Sequence, residues 1–237
     1  MSFTNIKYIF TKELRSYFNS AVAYIVIVGF LAILGWFFTS NLFLVNMSSM
    51  RVVFEITPFL LIFFGPFITM RLLAEEMKTG TIELLMTKPL REYEIVIGKF
   101  LAAWGLFFFT LLPTLSYYIT IAIIGKIDIG PVIGGYLGLM FIGGVFIAVS
   151  LFGSSMTENQ ITAAIVSFLI VFGLFMLDKV LFVVPPSFAS VLEYLSIDYH
   201  FSNISRGVID TRDLLYYISM ISFSLMLGTF MLQRKRW

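Results

Sequence analysis

Long apolar runs broken by short charged clusters set the pattern of this chain. No charge occurs between Arg15 and Arg51, Lys99 and Lys126, Asp128 and Glu158, Glu158 and Asp178, or Asp213 and Arg234. A helix needs about 20 apolar residues to cross about 30 Å of hydrocarbon, and each of these runs holds 19 or more. A sixth run, Glu55 to Arg71, holds 15. It becomes long enough if the helix extends over 52–73, with Glu55 and Arg71 snorkelling to opposite interfaces. The predicted spans are 21–44, 52–73, 95–124, 131–156, 161–177 and 214–232. The runs are continuous rather than alternating, so helices are expected and not the dyad pattern of an outer-membrane barrel. The fold class is therefore an all-α polytopic membrane protein, read as a single transmembrane domain over 1–237.

Residues 1–20 precede the first span. Phe3, Ile6, Phe10, Leu14 and Tyr17 recur every three or four positions, so they share one helical face. Lys7, Lys12 and Arg15 fill much of the rest. This predicts an amphipathic helix lying in the membrane interface. The first apolar run is too long for a signal peptide and follows mixed-charge sequence, so no cleaved leader is expected. Between the last two spans, 178–213 predicts short external helices that dip into the leaflet. Pro185-Pro186-Ser187 suggests a start for one over 188–196. A second begins near His200 and stops at Gly207. Asp210 or Thr211 caps the last span. Pro58 and Pro66 predict kinks, and Pro113 lies inside the third span. Gly130, Gly134 and Gly138, spaced by four, and then Gly143-Gly144 predict a close helix contact, within the chain or between two chains.

Charge sets the orientation. With the N-terminus inside, eleven Lys and Arg residues fall on the cytoplasmic side and five outside. That bias places both termini on the cytoplasmic side.

Against a hydrophobic fraction of 59% and a mean hydropathy of +0.95, one polar island stands out. It runs from Arg71 to Pro89 and carries Glu75, Glu76, Lys78, Glu83 and Lys88. Thr79-Gly80-Thr81 breaks it and Pro89 ends it. Leu84 and Leu85 would plug a groove on another protein. A solvated loop with an ordinary helix is the competing reading of the same residues.

The chemistry is defined largely by what is missing. A phosphate loop needs Gly, four residues, then Gly-Lys-Ser/Thr. Gly98-Lys99 and Gly125-Lys126 lack both the earlier Gly and the following hydroxyl residue. There is no cysteine, and the single His200 makes a poor metal site. No Ser/His/Asp set lies at membrane depth, which argues against an intramembrane enzyme. The predicted spans carry no charge at mid-depth, which weakens an ion-coupled carrier. Energy must then come from a partner. No cofactor or metal is expected in this chain, and no nucleic-acid partner.

The order Glu76, Lys78, Gly80-Thr81, Glu83, Leu84-Leu85, Pro89 and Gly98-Lys99 resembles the coupling-helix region of type-2 ABC exporter permeases. The six spans, the amphipathic first helix and the external segment are similar to that family over nearly the whole chain. Ser155-Met156-Thr157-Glu158-Asn159-Gln160 and the stretch from His200 to Asp210 resemble the gliding-motility and nitrous-oxide-reductase-maturation branch. The resemblance implies a bacterial inner-membrane permease subunit without catalysis of its own. ABC ATPase subunits, holding ATP and Mg, would dock on a coupling helix over 74–90. The interface would comprise Glu75, Glu76, Lys78, Thr79, Gly80, Thr81, Glu83, Leu84, Leu85 and Pro89. Thr157, Glu158, Asn159 and Gln160 would form a second cytoplasmic contact. A second permease copy, identical or paralogous, and a membrane-anchored accessory subunit would complete the assembly in the bilayer. The alternative in the same family is a subunit that anchors or transmits force without moving a substrate.

Overall fold

The computed structural model describes residues 2–45, 49–81, 90–125, 127–180 and 192–234. Among these, all regular structure is helical. The helices are α1 (Ser2–Asn19), α2 (Ala21–Leu44), α3 (Arg51–Lys78), α4 (Glu92–Leu111), α5 (Leu115–Ile124), α6 (Ile129–Ser155), α7 (Gln160–Val180), α8 (Ile197–Ser205) and α9 (Thr211–Arg234). Helices α2, α3, the α4–α5 pair, α6, α7 and α9 are each long and apolar enough to cross a bilayer. The chain is a multi-pass membrane protein. Lys126, Ile82–Pro89 and the Pro185-Pro186-Ser187 signal lie outside the described residues, as do the first four positions, 188–191, of the helix expected over 188–196; residues 192–195 of it are helical.

Helix α6 forms the centre, with 72% of its most apolar window buried inside the chain against 17% for α7. Its glycines explain why. A Cβ on Gly134 would fall 2.2 Å from the Ile204 carbonyl oxygen, and one on Gly135 would meet the Phe54 ring at 2.3 Å. One on Gly143 would meet Phe107 at 2.3 Å. The stripe therefore receives α8, α3 and α4 of the same chain. Gly130 is the exception, since only Asp128 comes within 4 Å of its missing Cβ.

Proline acts differently at Pro113 than at Pro58 and Pro66. Lacking an N–H, it removes one helical bond and its ring crowds the carbonyl four residues earlier. At Pro113 the third span tightens into a 3-10 turn, Leu112–Thr114, which divides α4 from α5. The Thr114 hydroxyl donates to the Leu111 carbonyl at 2.6 Å. Pro58 and Pro66 instead lie inside a helix that continues through both.

Helix α3 also outruns its expected end at Leu73. Leu72, Leu73, Ala74 and Met77 keep its inner face buried, so nothing stops it before Lys78. Helix α1 packs along α4 rather than presenting the whole expected face to lipid. Ile9 and Tyr17 are buried, whereas Phe3 is 81% exposed. At the other end of the bundle, Gly207 at φ +86° ends the α8 region. Asp210 then caps α9, its Oδ1 accepting from Arg212 N at 2.9 Å.

Candidate functional site

The polar end of α3 is the structural start of the island singled out from sequence. Thr79 caps the helix through its N–H to Glu75 O at 3.0 Å, and its hydroxyl donates to the same oxygen at 2.9 Å. Gly80 follows at φ +69°, in the left-handed region, with open space around its missing Cβ. Backbone conformation, not crowding, therefore favours glycine here. Thr81 Oγ1 lies 3.0 Å from Thr79 Oγ1. Glu83, Leu84, Leu85 and Pro89 lie outside the described residues.

The described island residues divide by direction. Glu75, Lys78, Thr79 and Thr81 are exposed. Arg71 Nε approaches Glu75 at 3.8 Å, a solvent-facing pair of small energetic weight. Glu76 turns inward. Its Oε1 lies 2.8 Å from Lys99 Nζ, and Glu13 Oε1 lies 3.1 Å from the same nitrogen. Lys12 approaches Glu13 at 3.4 Å and Glu76 at 4.0 Å. Lys99 is 1% exposed.

Burying one ammonium alone would cost several kcal/mol, on the order of the desolvation penalty of any buried ion. Two carboxylates from two other helices surround it, and Lys12 balances the second negative charge. Among the described residues, Glu76 Oε2 is buried without a hydrogen-bond partner. The cluster thus joins α1, α3 and α4 at a single buried nitrogen.

Neighbouring residues make that junction possible. A Cβ on Gly98 would fall 2.7 Å from Ile9 Cγ2 and 3.3 Å from the Ile6 carbonyl oxygen. Only glycine lets α1 approach α4 this closely. Asn5 Nδ2 donates to Glu94 Oε2 at 3.0 Å, and the Arg91 N–H donates to the same oxygen at 3.0 Å. Tyr17 donates its hydroxyl to the Ile68 carbonyl of α3 at 2.7 Å. Burial pushes that phenol well above its ordinary pKa, the nearby Glu13 adds to the rise, and Arg71 opposes it. Tyr17 therefore stays a donor throughout the ordinary pH range.

A second tie reaches α6. Ser154 Oγ donates to Met70 O at 3.1 Å and accepts from Ala74 N at 3.2 Å. These two backbone groups lie four apart in α3, so one hydroxyl ties α6 to a full turn of that helix. It lies one turn before Lys78. The loop Thr157–Gln160 follows α6 at this same end. Asn159 Oδ1 accepts from Ile161 N at 2.9 Å, and Thr157 Oγ1 accepts from Asn159 N at 3.2 Å. Asn159 is thus the N-cap of α7, while Glu158 is exposed.

At the opposite end, His200 is fully engaged. Its Nδ1 lies 2.6 Å from Asp213 Oδ1 and its Nε2 lies 2.9 Å from Tyr194 O. Its ring stacks on Tyr216 at 4.0 Å. The Tyr194 carbonyl only accepts, so Nε2 carries a hydrogen. Among the described residues no group of three His, Cys, Asp or Glu is placed to hold a metal.

Sequence reasoning missed the Lys99 junction. By sequence alone Lys99 falls among the cytoplasmic charges and Glu76 on the docking face, and no spacing singles out Glu13. The only signal was the Gly98-Lys99 pair at the head of the third span.

Residues 7–235 match the family described as ABC-2 family transporter protein, and the chain belongs to that family. It is a membrane permease component of an ABC transporter. No curated protein matches it.

Proposed function

We propose that this member of the ABC-2 transporter family couples ATP hydrolysis on a separate ATPase chain to movement of its own helices. In this reading it serves an exporter in the inner membrane of a bacterium, with both termini cytoplasmic. The carrying observation is the way α3 leaves the bundle. The helix that crosses the membrane continues without a break into the polar segment Glu75–Lys78. That segment is tied to α4 and α1 through Lys99 and, one turn earlier, to α6 through Ser154.

A force on the exposed face of Glu75, Lys78, Thr79 and Thr81 then has a rigid route into three helices. Glu83, Leu84, Leu85 and Pro89 complete the docking face. Gly80 sets the turn between the two parts. Thr157, Glu158, Asn159 and Gln160, at the same end, supply the second contact. ATP and Mg belong to the partner. A second permease copy, identical or paralogous, and a membrane-anchored accessory subunit complete the assembly. In this reading the chain is a member of the gliding-motility and nitrous-oxide-reductase-maturation branch, a placement supported by its resemblance over the stretches 155–160 and 200–210.

The chain has no cysteine, so single-cysteine crosslinking is direct. In native membranes, the Thr79→Cys variant should crosslink to an ATPase subunit that co-purifies with the chain. The Arg206→Cys variant, at the other end of the bundle, should not. A Thr79→Cys variant that captures no ATPase, or an Arg206→Cys variant that captures one, would overturn the proposal.

A further inference from the structure

At the end of the bundle remote from Lys99 lies a cleft of about 980 Å³, walled by the starts of α3 and α6, the end of α7 and α8. The three span ends fall where apolar sequence gives way to polar sequence, the depth of lipid headgroups. Buried Met50, Phe54, Val132 and Phe201 contribute apolar surface to it. Among the described residues the rim carries three cations and three anions, Arg51, Lys179 and Arg206 against Glu55, Asp128 and Asp198.

Most of these charges satisfy one another. Arg51 Nε meets Glu55 at 2.6 Å, and Lys179 meets Asp198 at 3.2 Å and Asp178 at 3.0 Å. Two remain. Arg206 has no side-chain partner among the described residues. Asp128 accepts only from Gly130 N, through Oδ1 at 3.1 Å, among the described residues. The two stand close in the fold, since a Cβ on Gly207 would fall 3.1 Å from the Gly130 carbonyl carbon.

We propose that this cleft binds one zwitterionic phospholipid with an ethanolamine headgroup, its phosphate on Arg206, its ammonium on Asp128 and an acyl chain on the apolar wall. Guanidinium and phosphate form charge-assisted, often bidentate, hydrogen bonds. A primary ammonium donates to a carboxylate, which a choline trimethylammonium cannot do. A rim balanced in charge disfavours a simple anion, because Glu55, Asp128 and Asp198 face it. It disfavours an anionic headgroup for the same reason. The apolar wall makes the acyl chain part of the recognition. The site is independent of whether an ATPase docks at the other end.

The test is native mass spectrometry of the single purified chain in mild detergent. It is titrated with phosphatidylethanolamine, phosphatidylcholine or phosphatidylglycerol, and separately with glycerophosphoethanolamine, which lacks the chains. The expected result is one retained phosphatidylethanolamine, held about tenfold more tightly than the other two lipids, with little competition from the chain-free headgroup. Arg206→Glu should weaken that retention about tenfold, and Asp128→Asn should bring phosphatidylethanolamine down to the level of phosphatidylcholine. Both side chains are exposed, so the variants should fold. If Arg206→Glu does not, the ratio of the two lipids on Asp128→Asn decides alone. Equal retention of the three lipids, unchanged binding in either folded variant, or full displacement by glycerophosphoethanolamine would each refute the site. ATPase binding is not read by this measurement, so its failure and that of the coupling proposal are separable.

Discussion

Glu76 Oε1 lies 2.8 Å from Lys99 Nζ, which places the polar end of one membrane helix on the buried head of the next. The contact turns an acidic residue of the exposed island into an internal tie. Glu13 holds the same nitrogen from the other side at 3.1 Å. Three helices distant in sequence therefore share one cation.

Removing that cation should be costly in a specific way. The Lys99→Met variant leaves Glu13 and Glu76 facing each other without their ammonium. Breaking a buried pair by deleting one partner costs about 3–5 kcal/mol, whereas replacing the whole set by uncharged groups is often near neutral. Thermal unfolding in detergent should show Lys99→Met strongly destabilised. The triple variant Glu13→Gln, Glu76→Gln, Lys99→Met should recover most of the loss. A triple variant no better than Lys99→Met would mean that packing, not charge, holds the junction.

The glycine beside Lys99 gives a second test. Gly98→Val places methyl groups where Ile9 Cγ2 and the Ile6 carbonyl already lie. Overpacking of this kind costs about 1–3 kcal/mol, and here the strain falls on the α1 contact. Hydrogen exchange over residues 2–19 should speed up while α6 stays protected. Trimming the other side with Ile9→Ala in the Gly98→Ala background should restore protection relative to Gly98→Ala alone. Unchanged exchange in Gly98→Val would show that α1 does not depend on this approach.

How far these features were legible follows from their range. Each span needs only a local run of apolar residues, so six helices could be read directly. The 3-10 turn at Pro113 was half legible, because a missing N–H predicts a break but not its form. The α6 glycines announced a close contact, while their partners Phe54, Phe107 and Ile204 come from distant segments that no spacing identifies. Residues 74–78 read as the start of a separate coupling helix over 74–90 because their charges interrupt the apolar run. The helix continues because Ala74 and Met77 still face the core. Glu13, Glu76 and Lys99 have no periodic relation, and a pairing of that kind appears only once the helices are assembled.

The remote end of the bundle should depend on His200. Its ring bridges α8 to Asp213 of α9 and to the Tyr194 carbonyl. His200→Ala leaves the buried Asp213 without that partner, a loss of about 2–4 kcal/mol for a charged, desolvated hydrogen bond. Limited proteolysis should then cut residues 192–210 faster, with the spans intact. Protease resistance equal to the unaltered chain would remove this clamp from the account.

The two directions taken by the acidic pair make the last prediction. Glu75 and Lys78 face outward, while Glu76 is engaged with Lys99. If the exposed face of this segment meets an ATPase, reversing its charges should act on docking and leave folding alone. Exposed charges contribute at most about 1 kcal/mol to stability, but opposed charges at an interface cost several kcal/mol. The Glu75→Lys, Lys78→Glu variant should therefore melt like the unaltered chain and lose the co-purifying ATPase. Glu83→Lys with Leu85→Asp should do the same, since a charged group driven into an apolar groove is left without a partner. Glu76→Gln should show the reverse, a lower melting temperature with ATPase capture kept at temperatures where the chain stays folded. Measuring melting and capture on the same preparations separates the two roles. Capture undiminished in both outward variants would remove the segment from the docking face, and a melting temperature unchanged in Glu76→Gln would remove Glu76 from the internal tie.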